Sequence, residues 1–229
     1  MKKKIILFII LIIVITLGIL IFINKSNPKF NFYTKTFKIS ELSNNSSIEI
    51  DNIRITLKKV CLNGMTYESL NDLNLDDVTV NRILDRHEDK KINIFFELET
   101  IDGSYLHETL LAYQILDNNN NSLVLEYNFN PDFVKKLHKV LIRRENFKSK
   151  DGFFGNTINT NGGFNHYIIQ DKGNSLLYSI NAHTLMEATE ENELDLSKIK
   201  LFISNINYKD SNNNLITSNN NVYEFIIEN

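Results

Sequence analysis

Two stretches of the sequence carry oxygen ligands at the spacing of a calcium-binding loop. Aspartate and asparagine alternate in both, at Asp117, Asn119 and Asn121 and at Asp210, Asn212 and Asn214. A complete loop of this kind also needs glycine at its sixth position and glutamate at its twelfth. Other residues occupy those positions here: Ser122 and Asn128, and Leu215 and Asn221. Both stretches are therefore predicted to be hairpin turns.

Histidine and cysteine give no spacing typical of a metal site. The five histidines are at positions 87, 107, 138, 166 and 183, and no two of them are four residues apart. Helical zinc ligands typically have that spacing. Cys61 ends a strand-like run, where a buried thiol is the ordinary interpretation, because a nucleophile would need a neighbouring base and a lowered pKa. We therefore predict no catalytic residue, no metal site and no cofactor.

The densest glycine region, residues 151–163, combines flexible backbone with aromatic side chains. It lacks the lysine and the serine or threonine of a phosphate-binding loop. Five aromatic or imidazole side chains lie in it or directly after it: Phe153, Phe154, Phe164, His166 and Tyr167. Packing of these side chains into the core is the commoner arrangement. The alternative is a binding surface, and this region is the best place for one in the sequence.

One predicted helix, residues 131–144, has a basic face. Asn130 suits the N-cap and Pro131 the first helical position. Apolar residues recur at helical spacing along one side, at Phe133, Val134, Leu137, Val140 and Leu141. Basic residues form the other side: Lys135, Lys136, Lys139, Arg143 and Arg144. Such a face is ordinarily solvated, and the alternative is docking onto lipid headgroups or an acidic partner.

The N-terminal segment is long and apolar enough to anchor the chain. Residues 5–23 are 19 consecutive residues with no charge, and as a helix they would extend for about 28 Å, the thickness of the hydrocarbon layer. A cleaved signal peptide usually has a shorter apolar run that ends at small residues, whereas this run is followed by Asn24 and Lys25. A lipid-modified cysteine is excluded, because the only cysteine is Cys61. An uncleaved membrane anchor is predicted.

The charges beside the apolar segment predict its orientation. Lys2, Lys3 and Lys4 lie in the short N-terminal flank, and this favours a cytoplasmic N-terminus. The predicted organisation is a cytoplasmic tail over residues 1–4, a transmembrane helix over 5–23, a stalk over 24–29 and an extracytoplasmic domain over 30–229. The lipid bilayer is thus the first predicted partner, through residues 5–23.

Charge and composition exclude some classes of protein. Without Lys2, Lys3 and Lys4 the chain has 22 basic and 28 acidic residues, and it has no basic stripe of the kind that binds nucleic acid. The single cysteine excludes an intramolecular disulfide. Hydrophobic residues make up 42% of the chain, enough for a packed core. Isoleucine and aromatic residues favour β-strands over helices.

The pattern after the stalk predicts a mainly β domain. Strands are predicted from Phe30 to Ile39 and from Ile48 to Val60, with a bulge or turn at Asp51 and Asn52, and from Lys91 to Thr100. Residues 66–90 are predicted to be a loop plus a short helix. Hairpins follow at 110–129 and 164–180, and the last unit joins 199–208 to 222–227. This spacing of strands predicts a two-sheet sandwich with one inserted helix.

Several segments resemble a known class of domain. The sequences "SIEIDNIRITLKKV", "KKINIFFELETIDG", "YQILDNNNNSLVLEY" and "LSKIKLFISNINYKD", placed after an anchor and a polar stalk, resemble the immunoglobulin-like extracytoplasmic domains of bacterial surface proteins. The resemblance implies an immunoglobulin-like β-sandwich with a role in adhesion, sensing or accessory binding. It assigns no functional residue. The cysteine and tryptophan typical of antibody domains are absent, and the helix at 131–144 is an addition to the pattern.

Three classes of function remain after the sequence analysis. The first is a membrane-anchored, non-enzymatic binding module whose ligand is a protein, peptide or glycan. The second is an accessory or sensory subunit of a larger membrane complex. The third is an enzyme, which would need a pair of His, Asp or Glu side chains to converge in a pocket. A stable membrane partner that co-purifies with the chain would distinguish the second class from the first.

Overall fold

The computed structural model describes residues 9, 12–18, 29–42, 46–87, 92–106, 111–126, 131–146, 166–182, 195–204, 206–209, 212, 214–218 and 220–229. The chain divides into two compact units, Met1–Phe30 and Asn31–Asn229.

The first unit contains a described helical segment. Residues 12–18 form an α-helix with exposed apolar side chains, such as Val14 at 59% exposure, and Thr16 donates a hydrogen bond to the carbonyl of Ile12 at 2.7 Å. Within the described ranges, no helix has the length and apolar character needed to cross a membrane. Most of the predicted anchor over 5–23, all of the tail over 1–4 and most of the stalk over 24–29 lie outside those ranges.

The second unit is mainly β, with two five-stranded sheets. In the first sheet the order is β1 (Asn31–Lys38), β12 (Asn221–Glu228), β9 (Lys198–Ser204), β5 (Ala112–Leu116) and β6 (Ser122–Glu126). In the second sheet it is β2 (Ser47–Ile50), β3 (Ile53–Leu62), β4 (Ile92–Thr100), β8 (Ser175–Ala182) and β7 (His166–Asp171). Strands β1 and β12 are parallel, and the other pairs are antiparallel. Strands β10 (Ile206–Lys209) and β11 (Leu215–Ser218) form a separate hairpin.

Side chains from both sheets contribute to one hydrophobic core. Period-two alternation directs Ile53, Ile55 and Leu57 of β3 into it, and Leu201 and Phe225 enter it from the first sheet. Aromatic rings fill much of this core. The rings of Phe96 and Tyr178 stack with their centroids 5.2 Å apart and their planes 7° apart.

Two helices cover the other face of the second sheet. These are α1 (Tyr67–Leu70) and α2 (Asp77–His87), joined by a 3-10 turn at Asn71–Leu73. Thr66 caps α1, and Asp76 accepts a hydrogen bond from the amide of Thr79 in the first turn of α2 at 2.8 Å. The helices pack Leu70, Val80 and Ile83 against Phe95 of β4 and Cys61 of β3. This second cluster explains why β4 is buried on both faces from Ile92 to Phe96.

The predicted amphipathic helix is present as α3 (Pro131–Glu145), and it packs on the first sheet. Its Phe133, Leu137 and Leu141 side chains are buried. Two ion pairs join its last turn to the sheet, from Arg144 to Glu224 at 2.7 Å and from Glu145 to Lys200 at 2.5 Å. The Arg144 guanidinium also lies 4.1 Å from the ring centroid of Phe32 in β1. Arg144 is therefore held against the sheet and does not belong to the solvated basic face that the sequence predicted.

Most local predictions are confirmed and one is corrected. The strand at 91–100, both predicted hairpins, the turn at Asp51 and Asn52 and the helix near 131–144 are all present. The short helix predicted within residues 66–90 is present as α2, but the count of one inserted helix was wrong, because α1 and α2 are both present beside α3. They form because the second sheet has a second apolar face to cover, at Cys61 and Phe95. The assignment to an immunoglobulin-like sandwich stays a prediction.

Candidate binding surface

Three turns meet at one end of the second sheet. Two of them are the β2–β3 turn at Asp51 and Asn52 and the segment 101–106 after β4. The Asn52 side chain donates a hydrogen bond to the Ser104 hydroxyl at 3.2 Å and accepts one from the amide of Asp102 at 2.9 Å. The carbonyl of Asn52 also accepts a hydrogen bond from the amide of Ile101 at 2.9 Å. One asparagine therefore fixes the positions of both turns.

The third turn joins β7 to β8 and is fixed to the same segment. The amide of Leu106 donates to the carbonyl of Gly173 at 2.7 Å, and the amide of Thr100 donates to the carbonyl of Asn174 at 3.0 Å. Gly173 has a φ of +84°, which L side chains rarely adopt. A Cβ placed on Gly173 would lie 3.7 Å from Cδ2 of Tyr105, so the Tyr105 ring lies directly over this glycine.

These turns present two large apolar side chains to solvent. Tyr105 is 51% exposed and Ile101 is 45% exposed, although both belong to a segment whose backbone is held by hydrogen bonds. We call this the three-turn surface and define it by the residues Asp51, Asn52, Ile101, Asp102, Tyr105 and Gly173. An exposed aromatic ring on a hydrogen-bonded backbone is typical of a binding surface, because such a backbone loses little conformational entropy on binding.

The three-turn surface is acidic. Asp51, Asp102 and Asp171 are exposed, and Lys172 is beside them. Hydrogen bonds from Ser104 and Asn52 lower the pKa of Asp102, so this carboxylate keeps its charge to a lower pH than a free aspartate. Across the described ranges, no group of three or more His, Cys, Asp or Glu side chains is arranged to hold a metal ion.

Glu97 lies on the outer face of the same sheet and is also ionised. Burial would raise its pKa, but hydrogen bonds from Lys58 and Ser175, together with the charges of Lys58 and Lys172, outweigh burial and lower it. The Lys58 ammonium is 2.8 Å from the Glu97 carboxylate, and the Ser175 hydroxyl donates to it at 2.7 Å. Glu97 has fixed partners and is not poised as a general acid.

Cys61 is buried, as the sequence predicted. Its sulfur lies 3.9 Å from the Ser69 hydroxyl oxygen and packs among the apolar residues of α1 and α2. Burial raises the pKa of the Cys61 thiol, which lowers the fraction of reactive thiolate at neutral pH. Burial lowers the pKa of His138 in α3, because it disfavours the charged imidazolium. The His138 imidazole is therefore mainly neutral at neutral pH.

The first of the two stretches that resemble part of a calcium loop, residues 117–121, is a hairpin turn between β5 and β6, as predicted. Asp117 is fully buried, and its carboxylate accepts hydrogen bonds from the amide and the side chain of Asn121, both at 2.7 Å. The amide of Asp195 donates to the same carboxylate at 3.2 Å. The two donors of Asn121 and the amide of Asp195 thus bind both carboxylate oxygens of Asp117, the atoms that would coordinate a cation. The second stretch, 210–214, falls between the paired strands β10 and β11 and is mostly outside the described residues.

The aromatic region predicted as a binding surface is only partly described. Phe153, Phe154 and Phe164 lie outside the described residues. The backbone of His166 and Tyr167 begins β7, an edge strand of the second sheet. The three-turn surface was not predicted from the sequence. Its signal was the pair Ile101 and Tyr105, two large apolar residues within a short polar segment.

Comparison with known proteins gave no relative. No family model, no curated protein and no solved structure matches the chain.

Proposed function

We propose that this chain is a membrane-anchored, non-enzymatic extracytoplasmic binding module that contacts its partner through the three-turn surface. The observation that carries the proposal is the exposure of Tyr105 and Ile101 on backbone fixed by hydrogen bonds. Large apolar side chains on ordered turns contribute contact area at a low entropic cost. The partner class is a protein, peptide or glycan with polar groups that can pair with Asp51 and Asp102.

The fold that we propose for this module is an immunoglobulin-like β-sandwich. Its support is the single hydrophobic core to which both five-stranded sheets contribute. Turns at the end of a sandwich tolerate a wide range of sequences while the sheets hold them in place. The three-turn surface lies on such turns.

The location that we propose rests on the N-terminal sequence. Residues 5–23 have the length and the apolar character of a membrane-spanning helix, and Lys2 to Lys4 precede them. Residues 24–29 then serve as a stalk, and the domain over 30–229 lies outside the cell membrane.

The location can be tested by adding protease to intact cells that express the full chain. We expect the protein to be shortened to a small membrane-embedded fragment, because the domain is outside and the anchor is uncleaved. The fragment is detected with an N-terminal epitope tag, and a cytoplasmic protein must remain intact as the control. Full protection until the membrane is broken would show a cytoplasmic domain. A shorter form in the medium would show a cleaved signal peptide.

A further inference from the structure

The basic residues of α3 divide into two groups with different environments. Arg144 is paired with Glu224 at the contact between the helix and the first sheet, next to the ion pair of Glu145 with Lys200 of β9. Lys135, Lys136, Lys139 and Arg143 are exposed. In the part of the chain that the structure describes, none of these four forms an ion pair. We call these four residues the basic face.

The basic face is narrow and continuous. At 3.6 residues per turn, its four side chains fall within an arc of about 100° and extend for about 12 Å along the helix. The buried residues Phe133, Leu137 and Leu141 lie on the opposite side. From residue 133 to residue 144 the helix has no acidic residue. The four positive charges therefore act together on whatever approaches this side of α3.

The end of the basic face lies close to the place where the chain enters the domain. Arg144 stacks over Phe32, the second residue of β1, and Arg143 is its neighbour in the helix. Only residues 24–30 separate the apolar segment from β1, and seven extended residues reach at most about 25 Å. If residues 5–23 are embedded in a bilayer, the lipid surface is within reach of this end of α3.

We propose that the basic face of α3 docks onto the anionic phospholipid headgroups of the membrane that anchors the chain. This inference rests on the proposed membrane anchor but not on the three-turn surface. Lysine and arginine clusters near a membrane bind phosphate headgroups by charge attraction. The short tether, residues 24–30, makes the contact between the basic face and the headgroups effectively intramolecular. A weak attraction for each basic residue is then enough to keep the helix at the membrane. Docking would set the orientation of the domain above the membrane.

Lysine modification in liposomes tests this docking with the unmodified full chain. The chain is reconstituted into vesicles of phosphatidylcholine, with or without phosphatidylglycerol, and treated with a membrane-impermeant acylating reagent. We expect Lys135, Lys136 and Lys139 to react about fivefold more slowly in the anionic vesicles, since each basic residue gains about that factor at an anionic surface. Lys58, on the outer face of the second sheet, is the internal control and should react equally in both, because α3 packs on the first sheet. High salt should remove the protection, because it screens the charges.

A pair of matched variants gives the second readout. Lys135 and Lys139 are four residues apart on α3, and Arg82 and Arg86 are four residues apart on α2. The variant K135Q/K139Q should lose the protection of Lys136, whereas R82Q/R86Q should keep it. Equal reaction rates in both lipids, or protection that survives K135Q/K139Q, would overturn the docking and leave the basic face to solvent or to an acidic protein.

Flotation in the same preparations separates this proposal from the anchor. Chain that floats with pure phosphatidylcholine vesicles after a high-salt wash is held by its apolar segment. Chain that fails to float there contradicts the anchor itself. In that case the acylation rates of the α3 lysines still test the basic face. Slower acylation only with phosphatidylglycerol supports headgroup binding. Equal acylation rates in the two lipids overturn it.

Discussion

Replacing Arg144 with alanine is expected to destabilise the domain by about 2–3 kcal/mol. Glu224 is 1% exposed, and Arg144 is its only basic partner among the described residues. Loss of Arg144 leaves a buried carboxylate whose remaining hydrogen bond, among the described residues, comes from the Thr34 hydroxyl. A fully buried pair would lose more, but the Arg144 side chain is 36% exposed, so water replaces part of the interaction. The stacking of Arg144 over Phe32 is lost as well.

Arg143 provides the matched control for this substitution. It is the preceding residue in the same helix turn, it has the same charge, and its side chain is exposed. The variant Arg143→Ala should change the free energy of unfolding by no more than about 0.5 kcal/mol. Urea unfolding of the full chain in detergent, followed by the near-ultraviolet circular dichroism of its tyrosines, measures both variants. Equal losses for the two would mean that the Arg144–Glu224 pair contributes nothing specific.

The second large effect is expected in the core shared by the two sheets. Phe96 is fully buried in β4 and stacks on Tyr178 of β8. The variant Phe96→Ala should lose about 3–5 kcal/mol, because it removes buried apolar surface and leaves a cavity. Phe96→Leu should lose only about 1–2 kcal/mol, since it keeps most of the side-chain volume.

The same urea measurement tests this prediction. Val78→Ala on α2 is the control, because Val78 is 67% exposed and its truncation should cost less than about 0.5 kcal/mol. The leucine variant keeps the comparison measurable if the alanine variant does not fold. A loss of less than about 1 kcal/mol for Phe96→Ala would contradict the placement of this ring in the shared core.

Local elements of the fold could be predicted from the sequence because their signals are local. The alternation from Ile92 to Leu98 predicted β4, and Pro131 with its following apolar repeat predicted α3. Strand pairing could not be predicted, because partners far apart in sequence leave no periodic signal. The parallel pairing of β1 with β12 joins Asn31 to Asn221 and is an example.

The environment of individual residues was harder to predict. Arg144 was assigned to the basic face, but at about 100° per residue it lies between Phe133 and Leu137 on the buried side of α3. There it pairs with Glu224, on a strand 80 residues later. By period-two alternation Phe95 lies on the same face of β4 as Asn93 and Glu97, and the helices α1 and α2 cover that face at Phe95. The side of α3 on which Arg144 lies follows from helical spacing, whereas the burial of Phe95 depends on which elements pack together, and no pattern within one segment contains that information.

The candidate site was missed for a related reason. Asn52, Ser104 and Gly173 belong to three turns that are distant in sequence, and only the folded sheet brings them together. Glycine and aromatic content directed the prediction to residues 151–167 instead. Exposure of Tyr105 depends on the turn that holds its backbone, and composition does not report exposure.

The central claim is that the three-turn surface binds a partner, and site-specific photo-crosslinking in intact cells tests it most directly. A benzophenone amino acid replaces Tyr105 in the full chain, and the control has it at Val78, an exposed position on α2. We predict an adduct of higher mass from position 105 and none from position 78. The variant Asn52→Ala should weaken the adduct, because it releases the contacts between two of the turns. Equal crosslinking at the two positions, or none at position 105, would contradict the account.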